Sequence, residues 1–278
     1  MQNTLRTLAL LGASLGVSAC GGGEAAKMAQ QGAASQTFAT KEYGSIGATF
    51  DLARTAVKYN GEIISQPTDT KIDSPSVFVH AHRRNASAQS SGSRLVNGEI
   101  QTIRSNSGKT YAFAFGNRAT GVNFTKFGRS TETIAPVSGI ADYEGNYMGM
   151  YKYGAGPNQG QTRDVLILGD TTLGVDFGAN TVSGRITNRR LSETPSYKFD
   201  DVILNNGVMN GDGVFTGTAI GGRPSSSGNN RPGRIFEGVV GGDTGGEVAG
   251  YLRTDWTVGT GASAIEYSET GVFQGEKQ

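Results

Sequence analysis

The sequence predicts an all-β protein, in which a small β-rich, handle-like domain precedes a C-terminal eight-stranded antiparallel soluble β-barrel. Gly accounts for 43 of the 278 residues and Pro for only 7. Short runs of β-branched and aromatic residues recur between Gly, Asn, Ser and Asp, which is the pattern of a β-sheet protein. From Pro136 onward these runs become regular and are joined by local connections. Such a meander can close into a barrel, which removes the exposed sheet edges.

The composition excludes several classes of protein. The formal net charge is only +1, which argues against a nucleic-acid-binding protein that depends on a basic excess. The chain contains 1 Cys, so it forms no internal disulfide and no thiolate metal cluster. No apolar run reaches the roughly 18 residues of a membrane-spanning helix.

The N-terminus has the features of a lipoprotein signal peptide, predicted over residues 1–19. Residues 8–17 form an apolar stretch of the length of a signal-peptide core. The Val17-Ser18-Ala19-Cys20 sequence that follows resembles a bacterial lipobox, which implies that Cys20 is acylated and inserts into membrane lipid. Gly21, by the same resemblance, permits transport to the outer membrane. The alternative is an ordinary signal peptide with an accidental Cys.

Three segments are predicted after the signal peptide. Residues 20–40 comprise the lipidated Cys20 and a flexible tether, residues 41–135 the small β-rich domain, and residues 136–278 the barrel. A short turn is predicted at Asn205–Gly207. Gly169-Asp170 is predicted to be a bend within one long strand, with a hairpin as the alternative. The predicted barrel strands are 139–153, 163–176, 181–188, 197–204, 208–220, 234–240, 247–256 and 264–274.

Several Gly-rich motifs in the second half resemble those of a known family. They are residues 141–147 (ADYEGNY), 175–186 (VDFGANTVSGRI), 213–219 (GVFTGTA), 234–238 (RIFEG), 247–251 (EVAGY) and 271–275 (GVFQG). In this order they resemble the β-barrel domain of transferrin-binding protein B, which is shared by a wider set of surface lipoproteins. The resemblance covers residues 136–278. It implies the barrel fold, a location on the outer membrane facing the cell exterior, and ligand capture as a class of function.

The two histidines, His80 and His82, are one candidate site. They are two residues apart in a predicted strand, so their side chains face the same side and can approach one metal ion or a haem iron. The alternative is a pair of exposed strand residues beside the polar segment 83–94.

Arginines near the longer barrel connections form a second candidate site. In a meander, alternate connections lie at the same end of the barrel, which brings these side chains together at one rim. Such a rim can hold carboxylate, propionate or phosphate groups bidentately. A solvated loop set is the alternative. The arginines are Arg163, Arg189, Arg190, Arg223, Arg231 and Arg234.

The sequence therefore predicts a binding protein. No nucleophile, base and acid combination typical of an enzyme is evident, so no enzymatic activity is expected. We expect an outer-membrane lipoprotein that captures haem or an iron-carrying host protein for a membrane receptor. The alternative is a structural or adhesive surface lipoprotein without a small-molecule ligand. No cofactor other than haem and no nucleic-acid partner is expected.

Overall fold

The structure is a computed structural model, and the N-terminal part of the chain lies largely outside its described residues. It describes residues 40–44, 48–51, 56–59, 62–65, 79–83, 88–90, 93–95, 98–105, 107, 109–117, 123–131, 135–153, 163–222, 235–258 and 265–278. The predicted signal peptide, Cys20 and most of the predicted tether lie outside these ranges, so their roles stay predictions.

Ten short strands precede Pro136. In chain order they are β1 (Thr40–Gly44), β2 (Ala48–Asp51), β3 (Ala56–Tyr59), β4 (Glu62–Ser65), β5 (Val79–Arg83), β6 (Ala88–Ser90), β7 (Ser93–Leu95), β8 (Gly98–Arg104), β9 (Thr110–Asn117) and β10 (Asn123–Ser130). A five-stranded sheet has the order β1-β10-β9-β8-β5, and a three-stranded sheet has the order β2-β3-β4. Strands β6 and β7 pair with each other.

The second half forms the predicted barrel. Its strands are β11 (Ile140–Tyr153), β12 (Arg163–Asp176), β13 (Thr181–Leu191), β14 (Val202–Met209), β15 (Val214–Gly221), β16 (Ile235–Gly241), β17 (Glu247–Val258) and β18 (Ile265–Lys277). Each strand pairs with the next, and the barrel closes through antiparallel pairing of β11 with β18. The all-β fold with an eight-stranded antiparallel barrel is therefore confirmed.

One predicted turn was wrong. Asn205–Gly207 lies inside β14, where Asn206 has a φ of 53° and the register against β15 shifts between Asn205 and Val208. This irregularity is a bulge, in which one strand carries an extra residue. The actual turn is Asn210–Gly213, because the Asn210 side chain accepts hydrogen bonds from the N–H groups of Asp212 and Val214. The predicted strand 208–220 therefore spans the end of β14, this turn and most of β15.

The prediction for Gly169-Asp170 is confirmed, since both residues lie within β12. The predicted strand 197–204 begins too early, because β14 starts at Val202. Residues 197–201 instead form an extended connection that makes an isolated bridge between Lys198 and Arg190.

The barrel interior is a continuous apolar core. Alternate residues of each strand point inward, as pleated strands require. The inward-facing residues include Tyr143, Leu173, Phe215, Phe236 and Phe273, each of which is almost completely buried. Aromatic rings of this size fill the interior of a small barrel.

The five-stranded N-terminal sheet packs on the outside of the barrel. Ile103 and Phe127 from the sheet share a second apolar core with Met148, Tyr251 and Val272, which point outward from barrel strands. Polar contacts add to this interface. Thr110 donates a hydrogen bond to Glu247, and Lys109 forms an ion pair with Asp243. The sheet therefore covers outward apolar residues of β11, β17 and β18.

No helix among the described residues is long and apolar enough to cross a membrane. The sheet ends at Ser130 and the barrel begins at Ile140. The division into separate domains at residue 135 stays a prediction.

Candidate functional site at the loop end of the barrel

The strand ends that the longer connections join lie together at one end of the barrel. Antiparallel neighbours run in opposite directions, so every second connection is on the same side. The turns 177–180 and 210–213 and the one-turn 3-10 helix Asp243–Gly245 are at the opposite end. The connection between β13 and β14 is the part of the loop end that the structure describes in full.

Arg189 lies inside the barrel just beneath this end. Its exposed fraction is 1%. One guanidinium nitrogen, Nη2, pairs with Oε2 of Glu269 in β18, and the other, Nη1, donates a hydrogen bond to the backbone oxygen of Asp200. The side chain also lies over the Phe199 ring, with 5.4 Å from the guanidinium carbon to the ring centre.

A bulge in β13 turns Arg189 inward. Ile186 also points into the barrel, and residues three apart share a face only if the alternation is broken between them. The register against β12 shifts here, because Asp170 pairs with Thr187 whereas Leu168 pairs with Arg190. Asn188 has a φ of 50°, and its side-chain amide donates a 2.5 Å hydrogen bond to Asp170.

Tyr147 completes the buried network. Its hydroxyl donates a 2.5 Å hydrogen bond to Oε1 of Glu269. Space for this group depends on Gly271 in the neighbouring strand, since a Cβ on Gly271 would lie 2.2 Å from the Tyr147 oxygen. Glu269 thus receives hydrogen bonds on both carboxylate oxygens while its side chain is fully buried.

Burial and the neighbouring charges fix the protonation states of Tyr147 and Arg189. Burial raises the pKa of Tyr147 well above its usual value, and the adjacent Glu269 carboxylate raises it further. Burial acts to lower the pKa of Arg189, but the attraction of Glu269 outweighs it and the net shift is upward. Arg189 therefore stays positive and Tyr147 stays protonated, so the network serves as a fixed support.

An aromatic cluster rests on this support at the barrel mouth. Phe199 packs edge-on against Tyr151, with ring centres 5.1 Å apart, and against Tyr197, with ring centres 5.3 Å apart. Tyr267 stacks on Tyr151 at 6.0 Å. Phe199 is buried, whereas Tyr197 is 47% exposed. The cluster thus presents the Tyr197 ring to solvent and packs it against buried Phe199.

The connection that carries Tyr197 is held by backbone hydrogen bonds. The N–H of Phe199 donates to the Arg189 oxygen at 2.9 Å, and the N–H of Leu191 donates to the Tyr197 oxygen at 3.2 Å. Exposed Lys198 and half-buried Arg190 pair with each other in the same segment. The described part of the loop end therefore carries an exposed aromatic ring and two positive side chains on a hydrogen-bonded backbone.

The structure separates the predicted arginines. Arg189 lies in the barrel interior and not on an exposed rim, because the β13 bulge reverses the alternation. Arg190 lies near the end of β13, and its guanidinium donates a 3.0 Å hydrogen bond to the backbone oxygen of Asn188. Arg163 begins β12 at the loop end. Arg223, Arg231 and Arg234 lie outside the described residues. Ligand binding by these six arginines stays a prediction.

The predicted histidines belong to a different part of the fold. His80 pairs with Thr102 and His82 with Ile100 in the β5–β8 pairing of the N-terminal sheet. Both therefore lie in an edge strand of that sheet and not in the barrel. Their role in holding a metal ion or haem stays a prediction.

The partners of Arg189 were not predicted from the sequence. One of these partners, Glu269, could have been found from the sequence. Alternate positions of β18 are occupied by Tyr267, Glu269, Gly271 and Phe273, so this acidic side chain is expected to point into the barrel with the aromatic ones. An inward acid in a small barrel needs a buried cation. The signal for Arg189 itself is hidden, since the bulge reverses its expected direction.

The chain was compared with known proteins. No family model matches it, and a search of curated proteins found no match. Among solved structures, transferrin-binding protein B from Haemophilus parasuis matches with a TM-score of 0.46 and 14% identity over 86% of this chain and 45% of that one. The same protein from serogroup B Neisseria meningitidis matches with a TM-score of 0.40 and 12% identity over 87% of this chain and 44% of that one.

The N-lobe of lactoferrin-binding protein B from Moraxella bovis also matches, with a TM-score of 0.31 and 12% identity over 87% of this chain and 100% of that one. The chain spans less than half the length of the two transferrin-binding proteins. The transferrin-binding proteins among these structures bear the name of the family that the sequence motifs resemble.

Proposed function

We propose that this chain is a surface lipoprotein of the outer membrane that captures a ligand at the loop end of its barrel. Haem or an iron-carrying host protein is the proposed ligand, and a membrane receptor is the proposed recipient. The observation that carries the proposal is the exposed ring of Tyr197, which Phe199 and the Arg189–Glu269 pair hold in place. Acylation of Cys20 provides the proposed membrane anchor.

The chemistry of the loop end suits both kinds of ligand. Haem has a planar ring on which a tyrosine stacks, and its two propionates pair with cations such as Lys198 and Arg190. In protein interfaces, exposed tyrosine and arginine side chains contribute a large part of the binding free energy. A rigid base reduces the entropy lost when the ligand binds.

The first experiment is a haemin titration of the purified chain, followed by the Soret absorption band. We expect a saturable shift that Tyr197→Ala/Lys198→Ala weakens, because this variant removes the stacking ring and a propionate partner. His80→Ala/His82→Ala is measured in parallel. Loss of the shift in the histidine variant alone would place haem in the N-terminal sheet and contradict the loop-end site.

The second arm tests an iron-carrying protein. Immobilised chain is exposed to iron-loaded transferrin and lactoferrin, and binding is measured by biolayer interferometry. If neither haemin nor these proteins bind saturably, the proposed ligand class fails. A structural or adhesive role would then be the better account.

A further inference from the structure

The outer wall of the barrel carries a second polar site, separate from the loop end. A cavity of about 540 Å³ lies along strands β11, β12, β13 and β18. The alternation in β11 places Glu144 and Asn146 on the outer face, because Tyr143 and Tyr147 belong to the interior core. The polar residues that line the cavity include Glu144, Asn146, Asp170, Thr172, Gln274 and Glu276.

Negative charge is concentrated in this cavity. Glu144 and Glu276 are directly opposite each other in the pairing of β11 with β18. Asp170 lies opposite Asn146, the next outward residue of β11. Like charges directly across an antiparallel pair destabilise a sheet. The arrangement therefore favours a positively charged group placed between these carboxylates.

Gln274 gives an independent indication of a ligand. The residue is fully buried and lines the cavity. Its amide nitrogen donates a 2.9 Å hydrogen bond to Oε1 of Glu276. The amide oxygen has no hydrogen-bond partner among the residues that the structure describes.

The orientation of this amide follows from its neighbour. A carboxylate only accepts hydrogen bonds, so the NH₂ group must face Glu276 and the oxygen must face away from it. A buried acceptor without a donor is costly, by about 1–3 kcal/mol in general. The site therefore calls for a hydrogen-bond donor as well as a positive charge.

We propose that this cavity binds a ligand through a primary ammonium or guanidinium group. Both groups are positive, and both present several N–H donors and no acceptor. One such group can satisfy the Gln274 oxygen and pair with the Glu144 and Glu276 carboxylates. No three His, Cys, Asp or Glu side chains in the described part of the chain are arranged to hold a metal ion, which favours an organic cation. Free polyamines and the side chains of Lys and Arg contain such a group.

Isothermal titration calorimetry of the full chain tests the proposal. One titration uses spermidine, and two others use N-acetyl-lysine amide and N-acetyl-arginine amide. We expect saturable binding in at least one titration, and Glu144→Gln should weaken it about threefold, as for a partly exposed ion pair. Asp201→Asn is the matched control, since it removes one negative charge from an exposed position outside the cavity lining.

The variants separate a defined site from general attraction. Equal weakening by Asp201→Asn and Glu144→Gln would mean non-specific attraction and would overturn the proposal, as would the absence of saturation in all three titrations. Gln274→Met, with its fold checked by thermal melting, should also weaken binding. Unchanged affinity in this variant would contradict the role of the Gln274 oxygen. Binding of spermidine alone indicates a polyamine, and binding of an amino-acid amide indicates a side chain. The loop-end variants do not enter this test, so the two proposals fail independently.

Discussion

Arg189 and Glu269 are opposite charges enclosed by an otherwise apolar barrel. Neither side chain has measurable exposure at the contact, so each depends on the other for compensation of its charge. Tyr147 adds a hydrogen bond to the same carboxylate. Removal of one partner from such a pair leaves the other charge buried and uncompensated, which typically costs about 3–5 kcal/mol.

Single and double substitutions of this pair are expected to differ in a characteristic way. Arg189→Met and Glu269→Leu should each lower the free energy of unfolding by about 3–5 kcal/mol, because each leaves a lone buried charge. The double variant should lose less than either single variant, since apolar side chains replace both charges. Urea denaturation measures all three.

An exposed ion pair supplies the control for these substitutions. Arg253 and Asp255 form a 3.2 Å pair with about half of each side chain exposed. Arg253→Met should therefore change the free energy of unfolding by less than about 1 kcal/mol. A similarly small change in Arg189→Met would refute the stabilising role of the buried pair.

At the scale of elements, the N-terminal sheet contacts barrel residues that point outward. Strand alternation alone would predict that these residues are exposed to solvent. Tyr251 of β17 is 7% exposed and lies 6.0 Å from the Phe127 ring of β10. Burial raises the pKa of Tyr251 to about 12. The sheet therefore covers a tyrosine that must stay protonated.

The interface should consequently weaken in alkali. A raised pKa means that the folded state holds its proton more tightly than the unfolded state, whose tyrosine has a pKa of about 10. The stabilisation from Tyr251 is complete below about pH 10 and is lost as the pH rises toward about 12. Urea denaturation at pH 7, 10 and 11 should show this loss.

Comparison with two phenylalanine variants isolates the effect of Tyr251. Tyr251→Phe should lose less stability than the wild type between pH 10 and 11, because it has no hydroxyl to ionise. Tyr197→Phe, at an exposed tyrosine, should follow the wild type. Parallel curves for Tyr251→Phe and the wild type would show that this tyrosine does not couple the interface to pH.

For the whole molecule, the fold could be predicted from the sequence, whereas the candidate site could be predicted only in part. Regular runs of β-branched residues and Gly-rich turns fixed the number of barrel strands, because these are local signals. The turn at Asn205–Gly207 was wrong because a bulge with positive φ resembles a turn in sequence. The Arg189 network joins residues far apart in the chain, and a single bulge decides its direction. Tertiary pairings of this kind leave little local signal.

The proposed attachment to the membrane concerns the whole chain and rests on one residue, Cys20. Cys20→Ser should prevent acylation and release the protein from the membrane fraction, since several acyl chains are needed for stable anchoring. Metabolic labelling with a palmitate analogue and fractionation of cells measure both effects. Ser18→Thr, which keeps the Cys, is the control. Membrane retention and labelling of Cys20→Ser would contradict the lipobox assignment.

The pairing of β11 with β18 has a consequence for how the chain matures. The first and last barrel strands join each other, so the ring stays open until the final residues are available. A chain made from its N-terminus onward would hold a curved sheet with two unpaired edges until β18 is complete. Such non-local closure makes folding slow and exposes the intermediate to aggregation. Removal of β18 should therefore abolish assembly of the barrel, whereas shortening the predicted tether should leave it intact.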